Sequence, residues 1–210
     1  KMEKAKSQFR QVLEYEPNHN LASINLAGLL LLEDNHQEGW DLYERRLEVS
    51  NNLYSQPKKI TIWKGERIKG DLLLVHEQGL GDTFQFIRYS KLLSAKGICC
   101  HFQGPKKLHS LLMTSKIVKS VCSENDQYPI NCKQWIPLLS IPKILGVSIT
   151  KPLFNKVPYL KPSKEKIEHW KNILGEKNQL RVALHWQGNP DHEFTIARGR
   201  SFQLKAIQKL

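Results

Sequence analysis

The sequence predicts an α/β protein in which a block of helices precedes a parallel sheet. Residues 1–52 have helical periodicity, with Ala5, Phe9 and Val12 on one face and Pro17 where the first helix should end. Beyond a polar connector, short apolar runs alternate with helix-patterned segments. Such alternation predicts parallel strands with helices packed on the sheet.

The helical block carries a spaced repeat. Similar positions recur at an offset of 34 residues, pairing Ala5 with Gly39, Phe9 with Tyr43, and Val12 with Arg46. This period is typical of tetratricopeptide repeats, whose small residues let paired helices approach closely. We therefore expect residues 1–52 to be a partial tetratricopeptide region, with a generic helical hairpin as the alternative. Such units need stacked neighbours, so earlier repeats are expected before residue 1.

The remaining elements follow in chain order. Residues 53–70, with their proline and glycines, are expected to be a linker, residues 71–178 a sheet domain, and residues 179–210 the beginning of a second such domain. The predicted strands are 71–76, 97–102, 117–121 and 181–186, and the predicted helices are 83–96, 106–114 and 164–174.

The turn EQGLGD, residues 77–82, follows the first predicted strand. Ligands of parallel sheets bind beyond the carboxyl ends of the strands, so this turn is a candidate site. The third glycine of a dinucleotide fingerprint is absent, the second strand ends without a carboxylate, and there is no Walker lysine. Asp82 could cap the helix, with Gln85 reaching back, or accept a proton from a bound hydroxyl, and both roles stay open.

A second candidate segment is RVALHWQGNPDHEFTIARGRSFQL, residues 181–204. Its glycine, amides and arginines near a predicted helix start suit a diphosphate, and a solvated loop is the alternative. The residues His185, Asp191 and His192 have metal-ligating atoms but no standard spacing. The sequence therefore predicts no metal site.

Composition restricts the partners. The net charge of +12 attracts anions, but the lysines are scattered and no groove-reading helix is recognisable, so nucleic-acid binding is not favoured. The four cysteines form no C-x-x-C pair, which predicts reduced, mostly buried thiols, and neighbouring Cys99 and Cys100 should point to opposite faces of a strand. No apolar segment approaches the roughly 20 residues of a membrane span, and no secretory signal is present, so a cytoplasmic location is expected.

Several ordered segments together resemble one family. They are GWDLYERR (39–46), WKGERIKGDLLLVHEQGLGDTFQFIRY (63–89), IPLLSIPKILG (136–146), VPYLKP (157–162), and RVALHWQGNPDH with RGRSF (181–202). The chain resembles bacterial proteins that join tetratricopeptide repeats to a glycosyltransferase of the GT-B type, with two Rossmann-like domains. That group is related to heptosyltransferase-like and O-linked N-acetylglucosamine transferase-like enzymes. His76 and His185 depart from its pattern, which has small or aliphatic residues there.

The resemblance implies a function and a set of site residues. A sugar would pass from a nucleotide-sugar, as co-substrate, to a protein or glycan hydroxyl, with no other cofactor and no metal, while the repeats hold the acceptor or a protein partner. Asp82 would be the general base. The other implied contacts are Gln78, Gly79, Gly81 and Thr83 for the acceptor, and Gln187, Gly188, Asn189, Arg200 and Ser201 for the donor.

Two further expectations belong to this interpretation. The chain ends one helix into the second domain, so the 210-residue piece alone is expected to be inactive. The alternative function, from a different class, is a non-catalytic scaffold that binds partners through its repeats and keeps an inactive glycosyltransferase-like domain.

Overall fold

The computed structural model describes residues 1–49, 56–148, 157–176, 178–188 and 201–206. The chain divides into two compact units, Lys1–Ser163 and Lys164–Leu210. The first unit contains an N-terminal group of helices and a parallel sheet with helices against it. The predicted α/β class is therefore confirmed.

The N-terminal region consists of three α-helices and a short 3₁₀ helix. Helix α2 lies between the other two and buries one face, formed by Ala22, Ser23, Leu26, Ala27 and Leu30, whereas α1 has no fully buried residue. A methyl group on Gly39 would lie 2.8 Å from the Leu31 side chain, so any larger residue there would force Leu31 to shift where α3 meets α2. The bounds are α1 (Met2–Tyr15), α2 (Asn20–Leu32), α3 (His36–Tyr43) and the 3₁₀ helix (Glu44–Glu48).

The described strands form a five-stranded, wholly parallel sheet in the order β1-β5-β2-β3-β4. The central strand β2 is buried along most of its length, as expected for an apolar run inside a parallel sheet. The strands are β1 (Thr61–Ile62), β2 (Asp71–Val75), β3 (Cys100–Gln103), β4 (Val121–Cys122) and β5 (Cys132–Pro137). The helices of this part are α4 (Leu80–Phe86), α5 (Tyr89–Ala95), α6 (Lys106–Thr114) and α7 (Ile141–Leu145).

The two faces of the sheet are packed unequally. Because side chains alternate along a strand, Leu72 and Leu74 point into the larger core, whereas Leu73 and Val75 point into a smaller cluster on the other face. The larger core contains Phe102 and the apolar sides of the helices. The smaller cluster has fewer apolar members and leaves room for polar side chains.

The N-terminal helices pack directly against the sheet part of the first unit. The Trp40 ring meets the Phe86 ring edge-on, with centroids 6.2 Å apart. Asp41 Oδ1 lies 3.0 Å from Lys143 Nζ on α7. Such contacts join α3 to both α4 and α7.

Some predicted elements differ from those observed. The predicted helix 83–96 is divided into α4 and α5, and Arg88 Nε donates to the Gln85 carbonyl, the acceptor that the next turn of a continuous helix would use. The prediction of a strand at 181–186 is wrong, because these residues pair with no strand in the described part of the chain, and Val182 and Leu184 are exposed. Two observed strands were not predicted: β1, which lies within the expected linker, and β5.

The second unit is described only in part. Helix α8 (Lys164–Leu174) has the predicted bounds, and a short 3₁₀ helix occupies Leu204–Ala206. Within the described residues of the whole chain, no helix combines the length and apolar character needed to cross a membrane. The four cysteines are free thiols, all buried except Cys99, which is half-buried.

Candidate functional site

The turn after β2 begins with two buried residues and continues with exposed ones. The His76 amide donates to the Gln103 carbonyl at 2.8 Å and thereby extends the pairing of β2 with β3. His76 and Glu77 are buried, whereas Gln78 is exposed and has a left-handed φ of 61°. This conformation is uncommon for a residue other than glycine, so the turn is held by its surroundings.

Beneath the turn, the side chains of His76 and Thr83 contact each other in the protein interior. The His76 Nδ1 and the Thr83 hydroxyl are 2.6 Å apart, and Thr83 is completely buried. Burial lowers the pKa of the His76 imidazole, outweighing the raising effect of the Glu124 and Asp82 charges, so the ring favours its neutral form. The Thr83 side chain is thus engaged inside the protein in the absence of a ligand, and its contact with an acceptor stays a prediction.

Replacing Thr83 by valine is expected to lower the free energy of unfolding by about 1–3 kcal/mol, because the His76 ring nitrogen would stay buried without its partner. Urea unfolding followed by circular dichroism measures the change. The matched control is Thr61→Val, an exposed position on the edge strand, for which the expected change is within about 0.5 kcal/mol. Equal effects at the two positions would contradict the assigned contact.

Glu77 is held by a buried ion pair that the sequence analysis missed. Arg46 Nε and Nη2 donate to the two carboxylate oxygens of Glu77 at 3.0 and 2.9 Å, and the Leu139 amide donates to Oε1 at 2.8 Å. The two side chains are only 6% and 2% exposed. A two-pronged, water-excluded pair of this kind fixes the Glu77 backbone relative to the N-terminal helices.

Further contacts surround the Arg46 guanidinium. Its guanidinium donates to Glu44 at 2.7 Å and to the Ser140 hydroxyl at 2.8 Å, and it lies 4.7 Å from the centre of the Tyr43 ring. Burial by itself lowers the pKa of Arg46, but the hydrogen bonds and charges of Glu77 and Glu44 outweigh that effect and raise the pKa. Arg46 is therefore a permanent positive charge beneath the turn.

Asp82 lies in the first turn of α4 and not at its cap. The helix begins at Leu80 with Gly79 as the capping residue, so Asp82 reaches back and its Oδ2 accepts the Gly79 amide at 2.9 Å. This corrects the predicted cap, which placed Asp82 at the start of the helix and Gln85 as the reaching residue. The side chain is half-buried, and within the described residues no hydrogen bond reaches its Oδ1. One carboxylate oxygen is therefore available to a ligand.

The other residues predicted to bind the acceptor substrate, Gln78, Gly79 and Gly81, lie around Asp82 in the turn. Gln78 Nε2 donates to the Tyr43 hydroxyl at 3.1 Å, which ties the exposed tip of the turn to α3. A methyl group on Gly79 would lie 3.1 Å from Asp82 Oδ2, closer than most such contacts, whereas one on Gly81 would meet nothing within 4 Å. Glycine is thus favoured at Gly79 by the capping contact, and at Gly81 the backbone is open to an approaching molecule.

The predicted donor segment lies in the second unit. The Gly188 amide donates to the Ser201 hydroxyl at 2.7 Å, and the Phe202 amide donates to the Trp186 carbonyl at 3.2 Å. Gln187 and Ser201 line a shallow cavity of about 370 Å³ together with aromatic and aliphatic neighbours. Asn189 and Arg200 lie outside the described residues.

The missed residues had weak signals in the sequence. Glu77 is an acidic residue two positions beyond the apolar strand β2, and Arg46 takes the place of Val12 in the repeated pattern. A charge at each of two positions that favour apolar residues is a sign of a buried pair.

Searches among protein-family models, curated proteins and solved structures found no match to this chain.

Proposed function

We propose that this chain is part of a glycosyltransferase that moves a sugar from a nucleotide-sugar to a hydroxyl group of a protein or glycan. The observation that carries the proposal is Asp82, a half-buried carboxylate at the carboxyl edge of a parallel sheet with one oxygen free. Ligands of such sheets bind at this edge. The resemblance of the chain to repeat-linked GT-B enzymes supplies the reaction class.

In the proposed reaction, Asp82 accepts the proton of the acceptor hydroxyl as its oxygen bonds to the anomeric carbon of the donor sugar. The bond from that carbon to the nucleoside diphosphate breaks, and the diphosphate leaves with the bonding electrons. A base at the nucleophile and positive charge at the leaving group are the two requirements of such a step. We assign the second requirement to the segment containing Gln187, Gly188, Asn189, Arg200 and Ser201.

The buried contacts that hold the turn in place suit a general base, because a general base needs a fixed position. His76 and Glu77 are both anchored in the interior, and Gly79 binds the Asp82 carboxylate directly. With the backbone on both sides restrained, the free oxygen of Asp82 has little freedom to move away from a bound hydroxyl. Preorganisation of this kind is a large part of enzymatic rate enhancement.

A scaffold without catalytic activity is the second candidate. It is favoured by the hydrogen bond from the Gly79 amide to Asp82 in the first turn of α4, which would preserve the carboxylate without any reaction, and by apolar side chains exposed on the N-terminal helices. Tyr15 is 92% exposed and Leu32 is 74% exposed, and both could contact a protein partner.

The test is acceptor-dependent release of nucleoside diphosphate by a protein that contains this chain together with any further domains of its gene product. The protein is incubated with a panel of nucleotide-sugars, with and without glycan and peptide acceptors, and both the diphosphate and the mass of the acceptor are measured. Release that requires an acceptor, with a matching gain of one sugar mass, is expected. Partner binding without release from any donor would favour the scaffold.

A further inference from the structure

A cluster of metal-ligating side chains lies at the opposite edge of the sheet from Asp82. The ligand atoms of Asp71, Cys99 and His101 all lie within 4.8 Å of one another. His101 Nε2 is 2.9 Å from Asp71 Oδ2 and 3.9 Å from Cys99 Sγ. The proposed glycosyl transfer uses none of these residues.

The sheet itself brings the cluster together. Asp71 begins β2, and because Leu72 pairs with Cys100, Cys99 stands beside Asp71 at the start of the neighbouring strand. His101 is two residues beyond Cys99, so both side chains point to the same face. That face is the one with the smaller apolar cluster, which explains how three polar groups fit beneath it.

His101 has the outer contact that metal-binding histidines usually have. Its Nδ1 lies 2.6 Å from the hydroxyl of Ser120, on the segment that leads into β4. Without a metal, Nε2 carries the proton and donates it to Asp71, so Nδ1 accepts from the Ser120 hydroxyl. When a metal replaces the Nε2 proton, the Nδ1 proton can be donated to that hydroxyl, and the Nε2 lone pair is then available to the metal. The ring is 3% exposed, so its orientation is fixed by packing as well.

The charges also suit a divalent cation. Once a metal ion has displaced the proton of the Cys99 thiol to solvent, the carboxylate and the thiolate together carry two negative charges, and the imidazole adds a neutral ligand. The Lys119 ammonium lies 3.6 Å from the Asp71 carboxylate, on a side chain that is 61% exposed and can turn into solvent. Asp71 and Cys99 are both half-buried, so the cluster can be reached from outside.

We propose that Asp71, Cys99 and His101 bind a zinc-like divalent metal ion, with a fourth position left to solvent. Sulfur, nitrogen and oxygen ligands in one site favour zinc, and a tetrahedral zinc site separates its ligand atoms by roughly 3.3–3.7 Å. The observed separations of 2.9 and 3.9 Å bracket this range. Binding would require small shifts of side chains only, and it would clamp β2 to β3.

A hydrolytic Ser-His-Asp site is the rival interpretation of the same residues, and the geometry disfavours it. In serine hydrolases the nucleophilic serine faces Nε2 of the histidine and the carboxylate faces Nδ1. Here Ser120 faces Nδ1 and Asp71 faces Nε2. The serine hydroxyl is thus on the nitrogen that supports a metal ligand.

Titration of the whole, metal-free chain with Zn²⁺ and with Co²⁺ tests the proposal. We expect one saturable equivalent, a cobalt–thiolate charge-transfer absorption, and a higher thermal unfolding midpoint with zinc.

Cys99→Ser should abolish the charge-transfer band, and His101→Gln should abolish saturable binding. Ser120→Ala should weaken binding by about 10–100-fold. Lys119→Gln should tighten binding, because a competing positive charge is removed.

Other cysteines provide the matched controls. Cys100→Ser alters the neighbouring thiol, which points into the opposite core, and Cys122→Ser alters a buried thiol on β4. Both should retain the band at full intensity, with folding confirmed by circular dichroism for every variant. Absence of a saturable equivalent in the unaltered chain would overturn the proposal. So would a band that persists in Cys99→Ser, which would show that the metal binds elsewhere.

Discussion

Replacing Arg46 by methionine is expected to lower the free energy of unfolding by about 3–5 kcal/mol, the usual effect of breaking a buried ion pair. Methionine fills similar space, but it removes the charge that pairs with Glu77. The Glu77 carboxylate, which is 2% exposed in the unaltered chain, would keep the Leu139 amide as a partner. Urea unfolding at constant pH, followed by circular dichroism and tryptophan fluorescence, measures the loss.

Arg45 offers a control from the adjacent position. Arg45 also pairs with a glutamate, Glu48, but those side chains are 33% and 55% exposed. Arg45→Met should therefore change the free energy of unfolding by less than about 1 kcal/mol. Adding Glu77→Leu to Arg46→Met should recover part of the loss, since the unpaired charge is then removed too. Equal losses at Arg45 and Arg46 would contradict the buried pair.

The parallel sheet could be predicted from the sequence because its main strands have strong local patterns. The run that forms β2 is apolar at four consecutive positions, and a glycine-containing turn and a helix follow it. Helices α6 and α8 were predicted with the observed bounds for the same reason, since each has a clear helical period.

The weakly patterned strands could not be predicted. Strand β5 contains Lys133 and Gln134 and ends in proline, and β1 is only two residues long. Both form because neighbouring strands complete their hydrogen bonds, which is a property of the folded sheet and not of the local sequence. The reverse error at 181–186 has the same origin, because an alternating apolar segment forms a strand only beside another strand.

The candidate site was predicted in part. The turn and Asp82 followed from local spacing, but the pairing of Arg46 with Glu77 joins residues 31 positions apart and depends on how α3 and its 3₁₀ extension dock on the sheet. The cluster of Asp71, Cys99 and His101 was missed because its residues come from two strands, and no fixed spacing describes contacts made across a sheet.

Asp82→Asn is expected to reduce the proposed sugar transfer by about 10²–10⁴-fold, the contribution typical of a general base. Asparagine has nearly the same shape, and its carbonyl oxygen can still accept the Gly79 amide, so α4 should stay capped. Unlike aspartate, asparagine cannot accept the proton of the acceptor hydroxyl at neutral pH. The loss should therefore fall on turnover, with the unfolding midpoint nearly unchanged.

Asp126→Asn is the matched control for that substitution. Asp126 also accepts a backbone amide from three residues earlier, that of Ser123, at 2.9 Å, and it too follows a strand of the sheet. The turnover number for transfer, measured at saturating donor and acceptor in the full-length protein, tests the central claim most directly. We predict a large fall for Asp82→Asn alone, with Asp126→Asn at the unaltered rate. A folded Asp82→Asn protein that transfers sugar as fast as the unaltered one would contradict the assignment of Asp82 as the base.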